Sequence, residues 1–205
     1  MTKHLIIFTR YPEPGKTKTR LIPVLGEQGA ANLHRQMVEK TLMIARQFQE
    51  LEPLSIEIRF TGGNLDVMQH WLGFDLIYDA QCFGDLGDRM RKAFQIAFNE
   101  GKNQIIMIGT DCPFLTVDIL AQGFKALQEY SIVLGPAKDG GYYLIGLNRY
   151  IPNIFENIPW GTSEVFQKTL NCCETLNLSV SQLPQLSDID RPEDLEFIVD
   201  FNFKS

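Results

Sequence analysis

The chain is expected to fold as a three-layer α/β/α protein with a mainly parallel sheet, and three observations predict it. Short apolar runs alternate with longer amphipathic segments along the whole length, the pattern of strands connected by helices. Two of the runs, Leu5-Ile6-Ile7-Phe8 and Ile105-Ile106-Met107-Ile108, are unbroken. That suits central parallel strands covered on both faces better than half-wet antiparallel ones. No repeat, linker or low-complexity stretch divides the chain, so residues 1–205 are read as one domain, a length that supports one sizeable core.

Taken in order, Leu5–Phe8 is the first strand. It leads into Thr9–Arg20, where Pro12, Pro14 and Gly15 forbid regular structure. Gly26 to about Leu51 has Leu33, Met37, Leu42, Ala45 and Phe48 at helical spacing, and Pro53 ends it. Ile56, Ile58 and Phe60 alternate with polar residues, which predicts a second strand. Asn64–Trp71 reads as helix, 74–78 as a short strand, and the Gly/Asp-rich 81–88 stretch as a loop opening a helix to about Asn99. That loop is either a helix start or a binding loop. After the central strand come a helix over 117–127, a strand over 132–135 and another over 143–147. The segment 151–158 is irregular. A helix follows to about Leu176 with Thr162 or Ser163 as N-cap, then a strand over 180–183, and Pro192 suits the first turn of a final helix.

Composition excludes some functions. A formal charge of −6 leaves no face-wide excess of Lys and Arg for nucleic acid or a membrane surface, although a local cluster suffices for a small phosphorylated ligand. No stretch is long and apolar enough to span a bilayer, and Met1-Thr2-Lys3 runs straight into a strand, so the expected location is cytoplasmic. Cys82, Cys112, Cys172 and Cys173 lack paired spacing, which argues against a zinc knuckle or a disulfide framework. Cys112 is read as a packing residue. His4, His34 and His70 are scattered, with no metal-ligand spacing.

The chemistry-bearing residues sit at strand ends. In open α/β sheets ligands bind beyond the carboxyl ends of the strands. Asp111, in Gly109-Thr110-Asp111-Cys112-Pro113, lies at such an end, where a divalent cation and a phosphate meet readily. The alternative is that it caps a turn or the helix opening near Thr116. Arg10, Lys16, Lys18 and Arg20 make the loop after the first strand the most basic stretch of an acidic protein. It is either a phosphate arm or a solvated charged loop. Gly15-Lys16-Thr17 is not a Walker P-loop, because position 10 is Arg and Pro12 and Pro14 lack the amide donors that cradle phosphate. Asp139-Gly140-Gly141-Tyr142 either approaches a sugar or base or forms a plain turn. Trp160 is either a sugar-stacking face or core. Asp188-Ile189-Asp190 places two carboxylates on one side if extended.

Phe8–Pro12, Gly15–Leu21, Gly109–Pro113, Gly135-Pro136 with Asp139–Leu144, Pro159–Thr162 and Asp188–Leu195 together resemble the DUF2064 family, also called the radical-SAM/selenodomain-associated transferase 1 family. The resemblance covers nearly the whole chain. It implies a GT-A-type, Rossmann-like nucleotide-diphospho-sugar transferase fold. More distantly, the stretches around Asp111 and Asp188–Leu195 are similar to molybdenum-cofactor and phospholactate guanylyltransferases, where an Asp at the central strand tip and a late Asp or Asn hold Mg²⁺. The first loop departs from that group, with Pro12 and Pro14 in place of a glycine-rich run. The resemblance thus implies a metal-dependent transferase acting on a nucleotide-activated donor and a small acceptor. Asp111, Asp190 and Asp188 would hold Mg²⁺ or Mn²⁺, Arg10, Lys16, Lys18 and Arg20 the donor phosphates, and Asp139 the acceptor hydroxyl. Gly140, Gly141, Tyr142 and Trp160 would shape the sugar or acceptor side. Glycosyl transfer from a nucleoside-diphosphate sugar is the leading expectation. Nucleotidyl transfer from a nucleoside triphosphate and a non-catalytic nucleotide-binding module are the alternatives.

Overall fold

A computed structural model describes residues 2–198. Its strands are β1 (Lys3–Arg10), β2 (Leu54–Thr61), β3 (Ile77–Ala80), β4 (Gln104–Ile108), β5 (Ile132–Pro136), β6 (Tyr142–Leu147) and β7 (Val180–Gln182). The helices are α1 (Ile22–Leu51), α2 (Leu65–Leu72), α3 (Leu86–Asn99), α4 (Val117–Ala126) and α5 (Val165–Thr175). The strands form one seven-stranded sheet in the order β3-β2-β1-β4-β6-β5-β7. Only β6 runs against its neighbours, β4 and β5; every other pairing is parallel. This is the mainly parallel α/β fold the strand–helix alternation predicts.

The sheet separates two apolar layers. Leu5, Ile7, Ile58, Ile106 and Ile108 pack with Val38, Phe48, Leu120 and Phe124 from α1 and α4. Ile6, Ile105 and Met107 point the other way, onto Met90, Phe94 and Cys173 from α3 and α5. Successive strand side chains alternate between faces, and both faces are dry, which is why β1 and β4 read as continuous apolar runs. A third small cluster joins Leu21, Leu33 and Met37 at the start of α1 to Ile189 and Ile198 near the end of the described chain.

Several local expectations change. β2 is the strand its alternation predicts, and its polar residues Glu57 and Arg59 are buried as well. His4 Nε2 bonds Glu57 Oε2 at 2.8 Å, Arg59 pairs with Glu57 and Asp79, and Ser55 Oγ lies 2.8 Å from His4 Nδ1. The charged residues of that strand are thus paired with each other and with residues of β1 and β3. In α1 the first residues form a separate turn with Pro23 in it, and Gly26, at φ 70°, breaks the helix before the regular run expected from that point. Neither Thr162 nor Ser163 is the N-cap of α5. That position is Glu164, and the Thr162 hydroxyl instead accepts from Glu164 N and donates to Pro159 O. Within 151–158, Pro152–Phe155 is a 3-10 turn, and the segment after Pro192 is also 3-10 rather than α-helical.

Candidate functional site at the strand tips

Sheet order reverses between β1 and β4: β2 and β3 lie on one side, the later strands on the other. That switch point leaves a crevice at the carboxyl ends of the strands. β1 and β4 run in register, with Ile7 opposite Ile108, so the basic loop 11–20 and the acidic loop 109–116 leave the sheet side by side. The late turn at 188–190 joins them, because Ile189 N donates to Asp111 O at 2.9 Å. The two acidic turns therefore meet.

Lys18 is the link. Its backbone is left-handed, at φ 49° and ψ 45°, a conformation a residue with a Cβ holds only when its surroundings impose it. Its side chain is 4% exposed, with Nζ 2.8 Å from Asp111 Oδ1 and 3.6 Å from Asp190 Oδ1. The same ammonium donates to Ile189 O at 2.5 Å. Arg20 pairs with the other oxygen of Asp190. Arg10 donates to Lys16 O at 2.9 Å and lies within electrostatic range of Asp111. Lys16 stands apart, 71% exposed and paired with Glu13 at 2.6 Å. Three of the four predicted cations converge on the carboxylates, and the fourth faces solvent.

The carboxylates differ in state. Crowding by neighbouring atoms pushes Asp111 up, although its side chain is 54% exposed, but the Lys18 ammonium, aided by His34 and Arg10, outweighs this and holds its carboxyl below the ordinary carboxylate range. Asp111 does not cap the next helix: that is Thr116, whose hydroxyl accepts from Ile119 N. Asp188 is raised, by burial and then by the neighbouring charge of Asp139. Asp194 occupies the helix-start role, accepting from Asp190 N and Arg191 N at 2.9 and 2.7 Å. That leaves Asp188 and Asp190 for the crevice. Burial and then the charges of Asp188, Asp111 and Asp139 push the Cys112 thiol far up, so it is a packing residue and not a nucleophile.

Asp139 is exposed in the turn between β5 and β6, its Oδ1 accepting from Gly141 N at 2.8 Å. Gly140, at φ 90°, is required there: a Cβ would come 2.2 Å from Ser163 O. Gly140 O accepts from Phe166 N, which ties this turn to α5. Tyr142 and Trp160 are not presented to the crevice. The Tyr142 hydroxyl is buried, and the ring meets Trp160 edge-to-face at 6.4 Å. Trp160 in turn fills the space over Gly87, where a Cβ would lie 2.4 Å from its Nε1. Both pack in the second core layer.

His34 was not singled out from the sequence. Its Nε2 lies 3.1 Å from Arg10 O, its Nδ1 is buried without a partner, and burial holds its pKa low despite Asp111. A His inside the apolar stripe of α1, beside Leu33 and Met37, is the signal that would have found it.

The donor set suits a hard divalent cation: only carboxylate oxygens, with Asp139 and Asp188 repelling each other. Among the described residues no three His, Cys, Asp or Glu side chains stand in a ready metal-holding arrangement. The Lys18 ammonium lies between Asp111 and Asp190 and is the cation those two share.

Comparison with known proteins places this geometry in context. The model of a family described as "Uncharacterized protein conserved in bacteria (DUF2064)" matches residues 43–162. A crystal structure of a "putative nucleotide-diphospho-sugar transferase" from Desulfovibrio desulfuricans G20 is 36% identical, covers 97% of this chain and 87% of its own, and superposes with a TM-score of 0.89. Rv0371c of Mycobacterium tuberculosis H37Rv, solved as a complex with manganese, is similar in fold at TM-score 0.56 and 14% identity, covering 97% and 99%. The inositol-1-phosphate CTP transferase of T. maritima is similar at TM-score 0.55 and 14% identity, covering 94% and 91%. No curated protein matches the chain in sequence.

Proposed function

Because the chain belongs to the DUF2064 family and carries its acidic and basic turns together at the switch point of the sheet, we propose that it is a metal-dependent transferase using a nucleotide-activated donor. The observation that carries this reading is the Lys18 bridge between Asp111 and Asp190, which brings distant carboxylates together beside a cationic loop. The D. desulfuricans relative, described as a nucleotide-diphospho-sugar transferase, supports a nucleoside-diphosphate sugar as donor, and on this reading the sugar passes to a small acceptor.

In this mechanism Asp111, Asp190 and Asp188 would hold Mg²⁺ or Mn²⁺, and a bound ion would supply positive charge against the donor's phosphates. With an ion there, Lys18 would exchange its bonds to the carboxylates for other partners. Its ammonium, freed toward the same crevice, joins Arg10 and Arg20 against the donor's phosphates. Lys16 adds a weaker contact by exchanging Glu13 for the donor. Asp139, exposed and beside Asp188, orients the acceptor hydroxyl and takes its proton. Gly140 and Gly141 let that turn approach the acceptor, while Tyr142 and Trp160 support it from below.

Nucleotidyl transfer from a nucleoside triphosphate is the second reading, and the likeness to the CTP transferase favours it. One panel separates the readings. The protein is incubated with each NTP or NDP-sugar, Mg²⁺ or Mn²⁺ and mixed small acceptors; released NDP supports sugar transfer and released pyrophosphate supports the second reading. Asp111→Ala should lower the rate by about 10²–10³-fold. Metal-dependent nucleotide binding that is unchanged in this variant contradicts the assignment. Binding with no turnover in any combination points to a non-catalytic module.

A further inference from the structure

A groove of about 280 Å³ runs beside the carboxylates, lined by Phe114, Lys138, Gln185, Leu186, Ser187 and Phe197. Its walls come from residues that adjoin the site's in the chain: Lys138 precedes Asp139, Ser187 precedes Asp188, and Phe114 follows Asp111 by three residues. The chain pairing that builds it is firm, with Lys138 N donating to Leu186 O and Leu186 N to Pro136 O, both at 3.0 Å. Two aromatic rings remain exposed there, Phe114 at 37% and Phe197 at 48%. Lys138 Nζ lies 5.4 Å from the centre of the Phe197 ring, and among the described residues it pairs with no carboxylate.

We infer that this groove is the acceptor site and that its occupant is a small hydroxylated compound with an apolar ring and an anionic group. The inference rests on the transferase reading. The two aromatic faces suit a flat or cyclic body, and the volume admits one ring with its substituents. Charge sets the direction in which it lies. The end at Asp139 and Asp188 repels an anion and accepts a bond from a hydroxyl, while Lys138 attracts an anion. The acceptor therefore enters with its hydroxyl toward the carboxylates and its carboxylate or phosphate toward Lys138, which leaves the Phe197 face to meet it. Gln185 and Ser187 add polar contacts along the floor.

The test uses the intact chain without nucleotide or metal and reads binding by ligand-observed NMR. The probes are 4-hydroxybenzoate, 4-hydroxyphenyl phosphate and the neutral 4-hydroxybenzyl alcohol. At least one anionic probe should bind about tenfold more tightly than the neutral one, the preference expected for a hydrogen bond to a charged group. Lys138→Met should abolish that preference, and Phe114→Ala should weaken all three probes, with thermal melts confirming that both variants fold. Whichever anionic probe wins separates a carboxylate from a phosphate acceptor. Equal binding of charged and neutral probes, a preference that survives Lys138→Met, or no binding at all overturns the inference. Because nucleotide is absent, failure here leaves the Asp111→Ala result standing, and failure of the transferase reading leaves the probe result readable.

Discussion

Two clusters of charge sit on this sheet, and they are built in opposite ways. Around β2, His4 of β1, Ser55, Glu57 and Arg59 of β2 and Asp79 of β3 form a closed set: each oxygen of Glu57 meets a different partner, and Glu57 and Arg59 side chains are both 5% exposed. Beyond the strand tips Asp111 and Asp190 share Lys18, Arg20 pairs with Asp190 alone, and Asp188 feels the unneutralised charge of Asp139. The first arrangement is complete without a ligand. The second holds more negative charge than its own cations neutralise and opens to solvent at the switch point. Acidic residues alone do not mark a functional site; what marks it is carboxylates gathered where the fold leaves a crevice and too few partners.

The contrast is sharpened by mutating each side. Glu57→Ala strands Arg59 and His4 inside the protein, and removing one member of a buried pair costs about 3–5 kcal/mol. Urea unfolding should show that loss, while the folded fraction keeps its metal-dependent nucleotide affinity. A change of less than about 1 kcal/mol would mean the closed cluster is not the buried charge network described.

Asp188→Asn should act in the opposite direction. The folded state raises the pKa of Asp188, so it binds a proton more tightly there than in the unfolded chain. Its contribution to stability is present below the unfolded value, about pH 4, and is lost as pH rises through the raised folded value. Replacing it by Asn removes that loss. The metal-free variant should therefore gain about 0.5–1 kcal/mol at neutral pH, with a smaller gain near pH 4, and bind metal and nucleotide more weakly. A variant less stable than wild type at neutral pH would place Asp188 with the structural cluster.

Lys16→Ala is the smallest change. Its exposed pair with Glu13 is worth no more than about 0.5 kcal/mol, so melting should hardly move and nucleotide affinity should fall only a few-fold, less so in high salt. A loss as large as that of Asp111→Ala would make Lys16 a principal phosphate ligand.

Much of this was legible in the sequence. Continuous apolar runs at Leu5–Phe8 and Ile105–Ile108 are what two covered faces require, and both are central parallel strands. Asp111 and the 188–190 turn were legible because acidic residues after an apolar run stand at strand ends. Their meeting was not, since it depends on contacts between segments far apart in sequence: Ile189 N donating to Asp111 O, and the Lys18 ammonium reaching across more than 170 residues to Ile189. The alternation of Ile56, Ile58 and Phe60 was enough to predict β2, but not that Glu57 and Arg59 would be buried, because their partners stand on neighbouring strands. Tyr142 and Trp160 carry the same ambiguity, amphipathic rings whose burial is decided by α5 and Gly87 rather than by their neighbours in sequence. The groove at Phe114, Lys138 and Phe197 was invisible because its walls come from four separate segments.

The most direct test of the switch-point site is a crystal of the protein grown with Mn²⁺ and a nucleotide mixture, examined for anomalous scattering from manganese. The account predicts one peak within bonding distance of Asp111 and of Asp188 or Asp190, with Lys18 turned from the carboxylates toward the nucleotide's phosphates. A nucleotide bound elsewhere, or bound at the strand tips with no manganese beside Asp111, would contradict it.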